Sequence, residues 1–272
     1  MVRSSLIAAC LLIATITGTQ SQSQRSATEV DLQLVLAVDI SYSMDPEEQR
    51  LQREGYMEAI VSPEVIEAIG RGLLGRIAVS YLEWAGSTDQ QVVVGWRMID
   101  GKAAAEAFAA ELRAKPYRRA FRTSVSGALD ASTALIETSG LTSQRRVIDV
   151  SGDGANNNGR PVEPARDDAL SKRITINGLP IMLKRPDNRT MDIANLDQYY
   201  EDCVVGGPGS FVIPIKSLDE FVPATRRKLI MEIAGLDPVR LPDDQGSIVP
   251  VDRVKTDCLI GERLWRDRWD RN

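Results

Sequence analysis

Ten residues near the start of the chain, Val30 to Asp39 (VDLQLVLAVD), form a nearly continuous apolar run. A strand with one face in water alternates apolar and polar residues. One that stays apolar is covered on both faces, as in a parallel sheet packed between two layers of helices. The rest of the chain reads in keeping with that demand. Pro46 opens a helix with Glu47 and Glu48 in its first turn, running to about Val61. Strands follow at Arg76 to Trp84 and Gln91 to Trp96, close enough in sequence to be an antiparallel pair. Helices at Gly101 to Ala114 and Ser124 to Thr138 precede a buried strand at Arg146 to Ser151. A helix at Pro161 to Lys172, strands at Ile174 to Leu179 and Phe211 to Ile215, and a helix at Ser217 to Ala234 capped by Gly235 complete the series. The pattern predicts an α/β fold: a doubly wound, mostly parallel sheet flanked by helices, with a short C-terminal extension. With 43% apolar and 26% charged residues, the chain has the material for such a core.

Three segments are expected. Arg3 followed by the apolar run Leu6 to Ile16 is too short to span a bilayer and reads as a cleavable export signal over 1–21. Residues 29–235 form the domain, and 236–272 an extension that begins with a linker rich in Pro and Asp and carries Trp265 and Trp269 at helical spacing. Removal of the signal leaves no integral membrane span and places the protein in the periplasm or outside the cell. Cleavage also removes Cys10, leaving Cys203 and Cys258 to form one disulfide that would pin the tail onto the domain.

The chain has no histidine, which removes Ser-His-Asp and Cys-His catalysis and imidazole-based zinc sites. Its 33 basic and 38 acidic residues argue against a nucleic-acid partner. Gly70 to Gly75 matches G-x-G-x-x-G, but it follows a helix and precedes a strand, the reverse of a dinucleotide fingerprint, and reads as a turn. Asn188-Arg189-Thr190 has the form of a glycosylation sequon and nothing more.

Chemistry concentrates where ligands bind in such folds, at the carboxyl ends of the strands. Asp39 ends the first strand, and Ser41 and Ser43 follow in the turn Asp-x-Ser-x-Ser. Thr123 opens a helix, and Asp153 follows the strand RVIDVS. Two carboxylates and three hydroxyls at one sheet edge would suit a hard divalent cation that keeps some of its waters. The competing reading is that Asp39 and the serines only cap the following helix.

Asp-x-Ser-x-Ser, Thr-x4-Ala-Leu and Asp-Gly in this order resemble the metal-ion-dependent adhesion site of von Willebrand factor A domains. The segments VLAVDISYSMD, YLEWAG, RRAFRTSVSGALDAS, RVIDVSGDGANNNG and YYEDCVVGGPGSFV resemble a bacterial family of exported A-domain proteins of unknown function, DUF1194, over residues 29–235. The resemblance implies that Ser41 and Ser43 ligate directly, Thr123 directly or through water, and Asp39 and Asp153 partly through water. The ion would be Mg²⁺, with Mn²⁺ or Ca²⁺ as alternatives, and an Asp or Glu of a protein partner would complete its shell. Arg122 departs from the pattern, since A domains often carry Gly before the Thr. Arg118, Arg119 and Arg122 would line a rim that steers an acidic partner, or a solvated loop, and Asn156 extends that rim as hydrogen-bonding surface or turn. The role expected is binding and not catalysis. The alternative is a Mg²⁺-dependent hydrolase of phosphates or esters, with Asp39, Asp153 or Glu83 as its base.

Overall fold

The apolar run is the middle strand of a five-stranded sheet. β1 (Thr28–Asp39) pairs in parallel with β2 (Ile77–Trp84) on one side and β4 (Leu141–Gly152) on the other. β3 (Gln90–Ile99) is antiparallel to β2, and β5 (Thr175–Pro180) is parallel to β4, which gives the order β3-β2-β1-β4-β5. The computed structural model describes residues 28–184, 192–235 and 255–270. The export signal, the sequon at 188–190 and nearly all of the linker after Gly235 lie outside them.

Eight α-helices are described: α1 (Pro46–Ile60), α2 (Pro63–Gly70), α3 (Lys102–Arg113), α4 (Val125–Glu137), α5 (Val162–Ser171), the short α6 (Leu196–Tyr199), which runs on into a π-helical turn at Tyr200–Val204, α7 (Phe221–Ala234) and α8 (Ile260–Trp269). Alternation along β1 divides the core. Leu32, Leu34, Leu36 and Val38 pack with Tyr56, Ile60, Ile69, Phe108 and Leu229 from α1, α2, α3 and α7. Val35 and Ala37 face the other way, onto Val125, Leu129, Ala165 and Tyr199 from α4, α5 and α6. Both faces of the sheet are therefore covered, as the unbroken apolar run requires.

Helix starts follow from local chemistry. Asp45 accepts from the Glu47 and Glu48 backbone N–H groups, and Glu48 reaches back to the Asp45 N–H, a closed capping box ahead of Pro46. Ser62, just before Pro63, caps α2 by accepting the Val65 N–H alone, with Val65 and Ile69 buried. This helix was not anticipated, although its cap and its proline are legible. Gly235 ends α7 in the left-handed conformation, at φ 64°.

The strand expected at Phe211 to Ile215 is not one. This segment runs beside β5 and exchanges backbone hydrogen bonds with Gly178 and Met182, but only isolated bridges form. Pro180, at the end of β5, has no N–H to give to the neighbouring strand, so the ladder is interrupted. The expected helix from Ser217 begins instead as a 3-10 turn at Leu218–Glu220 before α7.

Two buried ion clusters hold helices to the sheet. Arg53 of α1 pairs with Glu83 of β2 and lies over the Tyr117 ring, 4.0 Å from its centroid. Lys228 of α7, fully buried, sits 2.6 Å from Asp149 of β4 and 2.5 Å from Glu232 one turn along its own helix. Asn177 of β5 donates to the same Glu232 at 3.0 Å. The structure joins Cys203 to Cys258 (S–S 2.07 Å, Cα–Cα 5.5 Å), attaching the segment that leads into α8 to the turn after α6.

Candidate metal centre

The strand order sets the place of the site. From β1 the chain winds one way to β2 and β3, then crosses back to β4 on the other side of β1. The loops after β1 and β4 thus part at a topological switch point. Asp39 stands at the end of β1, and Asp153 directly follows β4.

Asp39 is fully buried. Its Oδ1 accepts the Ser41 N–H at 2.7 Å, which folds the Asp-x-Ser-x-Ser turn back over the strand end. Ser41 Oγ lies 2.7 Å from Ser43 Oγ, and Ser43 Oγ donates to Asp153 Oδ1 at 2.6 Å. Four of the five residues read from the sequence thus form one continuous polar chain. The fifth, Thr123, turns its side chain toward Gly154: a Cβ on that glycine would lie 3.7 Å from Thr123 Oγ1. Its backbone is tied to the β4 loop in both directions, Thr123 N–H to Asn157 Oδ1 at 3.0 Å and Asn157 N–H to the Thr123 carbonyl at 2.8 Å.

The electrostatics are those of an anionic hole. Burial, then the neighbouring Asp153, holds the Asp39 carboxyl well above the usual carboxylate range. Burial pushes Asp153 up to about 6, against the lowering effects of Ser43 and Lys184. Asp39 Oδ2 is buried without a hydrogen-bond partner. A Cβ on Gly152 would come 2.8 Å from that oxygen, so only glycine leaves room for the carboxylate there. The sequence reading did not single out Lys184, which follows β5. Its Nζ binds Glu48 Oε2 at 2.6 Å, Asp153 Oδ2 at 3.2 Å and the Ser43 carbonyl, a tethered cation at the mouth of the site. An all-oxygen donor set, an orphaned buried carboxylate oxygen and a resident ammonium together fit a hard cation. Among the described residues no three Asp, Glu, Cys or His side chains gather as a metal cluster, so such a site would depend on its hydroxyls.

The residues expected to line a rim are engaged in different ways. Arg118 is paired with Asp89 at 2.8 Å. Arg119 donates to the Tyr42 and Met44 carbonyls and lies over the Tyr42 ring. Arg122 holds φ 75°, the left-handed region, which explains why glycine suits this position; a non-glycine residue there costs roughly 1–2 kcal/mol. Asn156 must be removed from the accessible rim. It is fully buried, accepting from the Ser126 N–H and donating to the Arg160 carbonyl and Glu262, so it acts as an internal brace. Two aromatic residues that sequence reasoning passed over take the exposed place. Phe121 is 76% exposed and Tyr42 49%, with ring centroids 4.4 Å apart, joining the turn after β1 to the loop before Thr123. Glu83, a base considered for hydrolysis, is spent on Arg53.

A family model described as "Protein of unknown function (DUF1194)" matches residues 29–237. No curated protein matches in sequence. Among solved structures, proximal thread matrix protein 1 from the mussel byssus is similar at TM-score 0.55 and 11% identity, over 76% of this chain and 49% of that one. A second structure of that protein, with a zinc-occupied MIDAS motif, is similar at TM-score 0.53 and 12% identity, over the same shares. The pilus adhesin SpaC from Lactobacillus rhamnosus GG is similar at TM-score 0.54 and 14% identity, over 75% of this chain and 31% of that one. The chain spans about half the length of the first and under a third of the adhesin. These likenesses, all under 25% identical, show a shared fold alone, a mostly parallel sheet flanked by helices.

Proposed function

The chain belongs to the DUF1194 family, which is defined without a function, and we propose that its site holds one divalent cation for metal-dependent recognition of a protein. The hydroxyls of Ser41, Ser43 and Thr123 and the carboxylates of Asp39 and Asp153 would hold the ion, Mg²⁺ with Mn²⁺ or Ca²⁺ as alternatives. When bound, the cation offers an open coordination position to a carboxylate of the partner. The observation that carries this reading is the continuous chain Asp39–Ser41–Ser43–Asp153 at the switch point, with its orphaned carboxylate oxygen. The solved structure with an occupied MIDAS motif on the same fold supports it.

The surroundings suit an acidic partner. Arg119, which lies over the Tyr42 ring and binds the turn after β1, adds a positive charge beside the site that favours approach of a negative group, while Arg118 is paired with Asp89. Phe121 and Tyr42 add an exposed aromatic surface of the kind that anchors protein contacts. Export through the signal at 1–21 would present this face outside the cytoplasm. Among the described residues no helix is long and apolar enough to cross a membrane.

Calorimetric titration of Mg²⁺ and Mn²⁺ into the protein tests the reading, with Asp39→Ala and Ser41→Ala alongside. Saturable binding that disappears in both variants is expected. Binding that survives both substitutions would place the ion elsewhere and overturn the assignment.

A further inference from the structure

Arg122 pairs two features that are seldom found together: a left-handed backbone without the freedom of glycine, and a guanidinium stacked 3.3 Å from the ring centroid of Trp265 in α8. It immediately precedes Thr123. α8 makes two further contacts with the same corner. Glu262 Oε1 accepts from Asn156 Nδ2 at 2.7 Å, and Asn156 Oδ1 accepts from the Ser126 N–H at 3.0 Å. Gly261 lies so close to the Asn156 carbonyl that a Cβ there would stand 2.1 Å from it. The segment before α8 is anchored in turn by the Cys203–Cys258 bond and by the Thr256 N–H on Asp202 at 2.8 Å.

We propose that α8 is a clamp on the Thr123 loop, with Trp265 as the positioning residue that holds Arg122 left-handed and so fixes where Thr123 points. An arginine released from its partner relaxes toward negative φ, because its Cβ crowds the following carbonyl when φ is positive. That relaxation turns the next residue, and with it the Thr123 hydroxyl. A glycine at 122 would need no partner to keep the same backbone. The two braces divide the work: Trp265 holds the residue before Thr123, while Glu262 and Asn156 hold the start of α4 behind it. The consequence for cation affinity rests on the function proposed above, but the clamp itself does not.

Amide hydrogen exchange on the full-length, metal-free protein tests the clamp directly, followed by Mn²⁺ titration of the same samples. Exchange at Thr123 and Ser124, whose N–H groups bond Asn157 and the Ala85 carbonyl, is expected to quicken about tenfold in Trp265→Ala, the factor that loss of one partly desolvated cation–π contact carries. Cys258→Ser should act in the same direction. Arg122→Gly combined with Trp265→Ala should return exchange to within about threefold of the parent. Amides of β1 and β4 report that each variant remains folded. Unchanged exchange in Trp265→Ala, or a double variant as fast as the single one, overturns the clamp. A change in Trp265→Ala without one in Cys258→Ser removes the disulfide from it. Mn²⁺ affinity should fall and recover in the same order. If the parent binds no cation, the proposed function fails while the exchange series still decides on the clamp.

Discussion

The environment of a single carboxylate, Asp39, governs the site at the scale of the residue. It has one oxygen in a tight turn bond, the other without a partner, and Gly152 pressed against it. Gly152→Ala is expected to cost about 1–3 kcal/mol in chemical unfolding, because its Cβ must displace the carboxylate or the β4 backbone. It should also weaken cation binding by at least tenfold in calorimetry. Lys184 acts in the opposite sense. Its ammonium already neutralises Asp153, so an incoming cation must displace it. Lys184→Ala should therefore bind Mn²⁺ about tenfold more tightly; equal or weaker affinity would show that the lysine supports the site and does not compete for it. That Asp39, Ser41, Ser43 and Asp153 would meet was legible because the first three share the turn that leaves β1 and the fourth follows the adjacent strand β4. Lys184 was not, because a lone lysine after a strand carries no local signal; only the sheet order brings it to Asp153. Asn156 was misread for a related reason, since a turn asparagine looks the same whether its amide faces water or braces a second loop.

Helices and strands carry a second set of consequences. Lys228 of α7 is fully buried against Asp149 from β4 and Glu232 from its own helix, with Asn177 of β5 donating to Glu232 and Tyr56 of α1 beside Asp149. Burial and then Asp149 raise Glu232 from 4.5 to about 7, and burial raises Asp149 as well. The folded protein therefore keeps a proton that the unfolded chain gives up between pH 4.5 and 7. Stability must fall as pH rises through that window and level off above it, by up to about 3 kcal/mol from this group. Urea unfolding of Glu232→Gln from pH 4.5 to 8 should show a shallower decline than the parent; parallel curves would mean the pair is ionised throughout. Most elements were legible because their signals are local. The unbroken apolar run marked β1, Pro46 with its acids marked α1, and Gly235 closed α7. The error at Phe211 to Ile215 arose in the partner strand, where Pro180 withholds a donor that only the pairing reveals. α2 was passed over despite Ser62 and Pro63, its eight residues being short for a periodicity argument.

Across the whole molecule, the Cys203–Cys258 bond closes a loop of 55 residues between the turn after α6 and the lead-in to α8. In the chain-entropy limit such a closure contributes about 4 kcal/mol, so Cys258→Ser should lower the thermal midpoint by several degrees in calorimetry under non-reducing conditions. An unchanged midpoint would mean that the tail adds nothing to global stability, whatever it does for the Thr123 loop. The outer margin of the sheet beyond β5 has a consequence of a different kind. Exposed strand margins recruit strands from other chains, a hazard for any protein that reaches a crowded compartment. The segment 211–215 turns the N–H groups of Ile213 and Ile215 inward to β5, which leaves positions 212 and 214 to face outward. Position 214 is a proline. A visiting strand would find one donor where it needs a row of them, and the sheet is closed to growth on that side by the same residue type that interrupts it within.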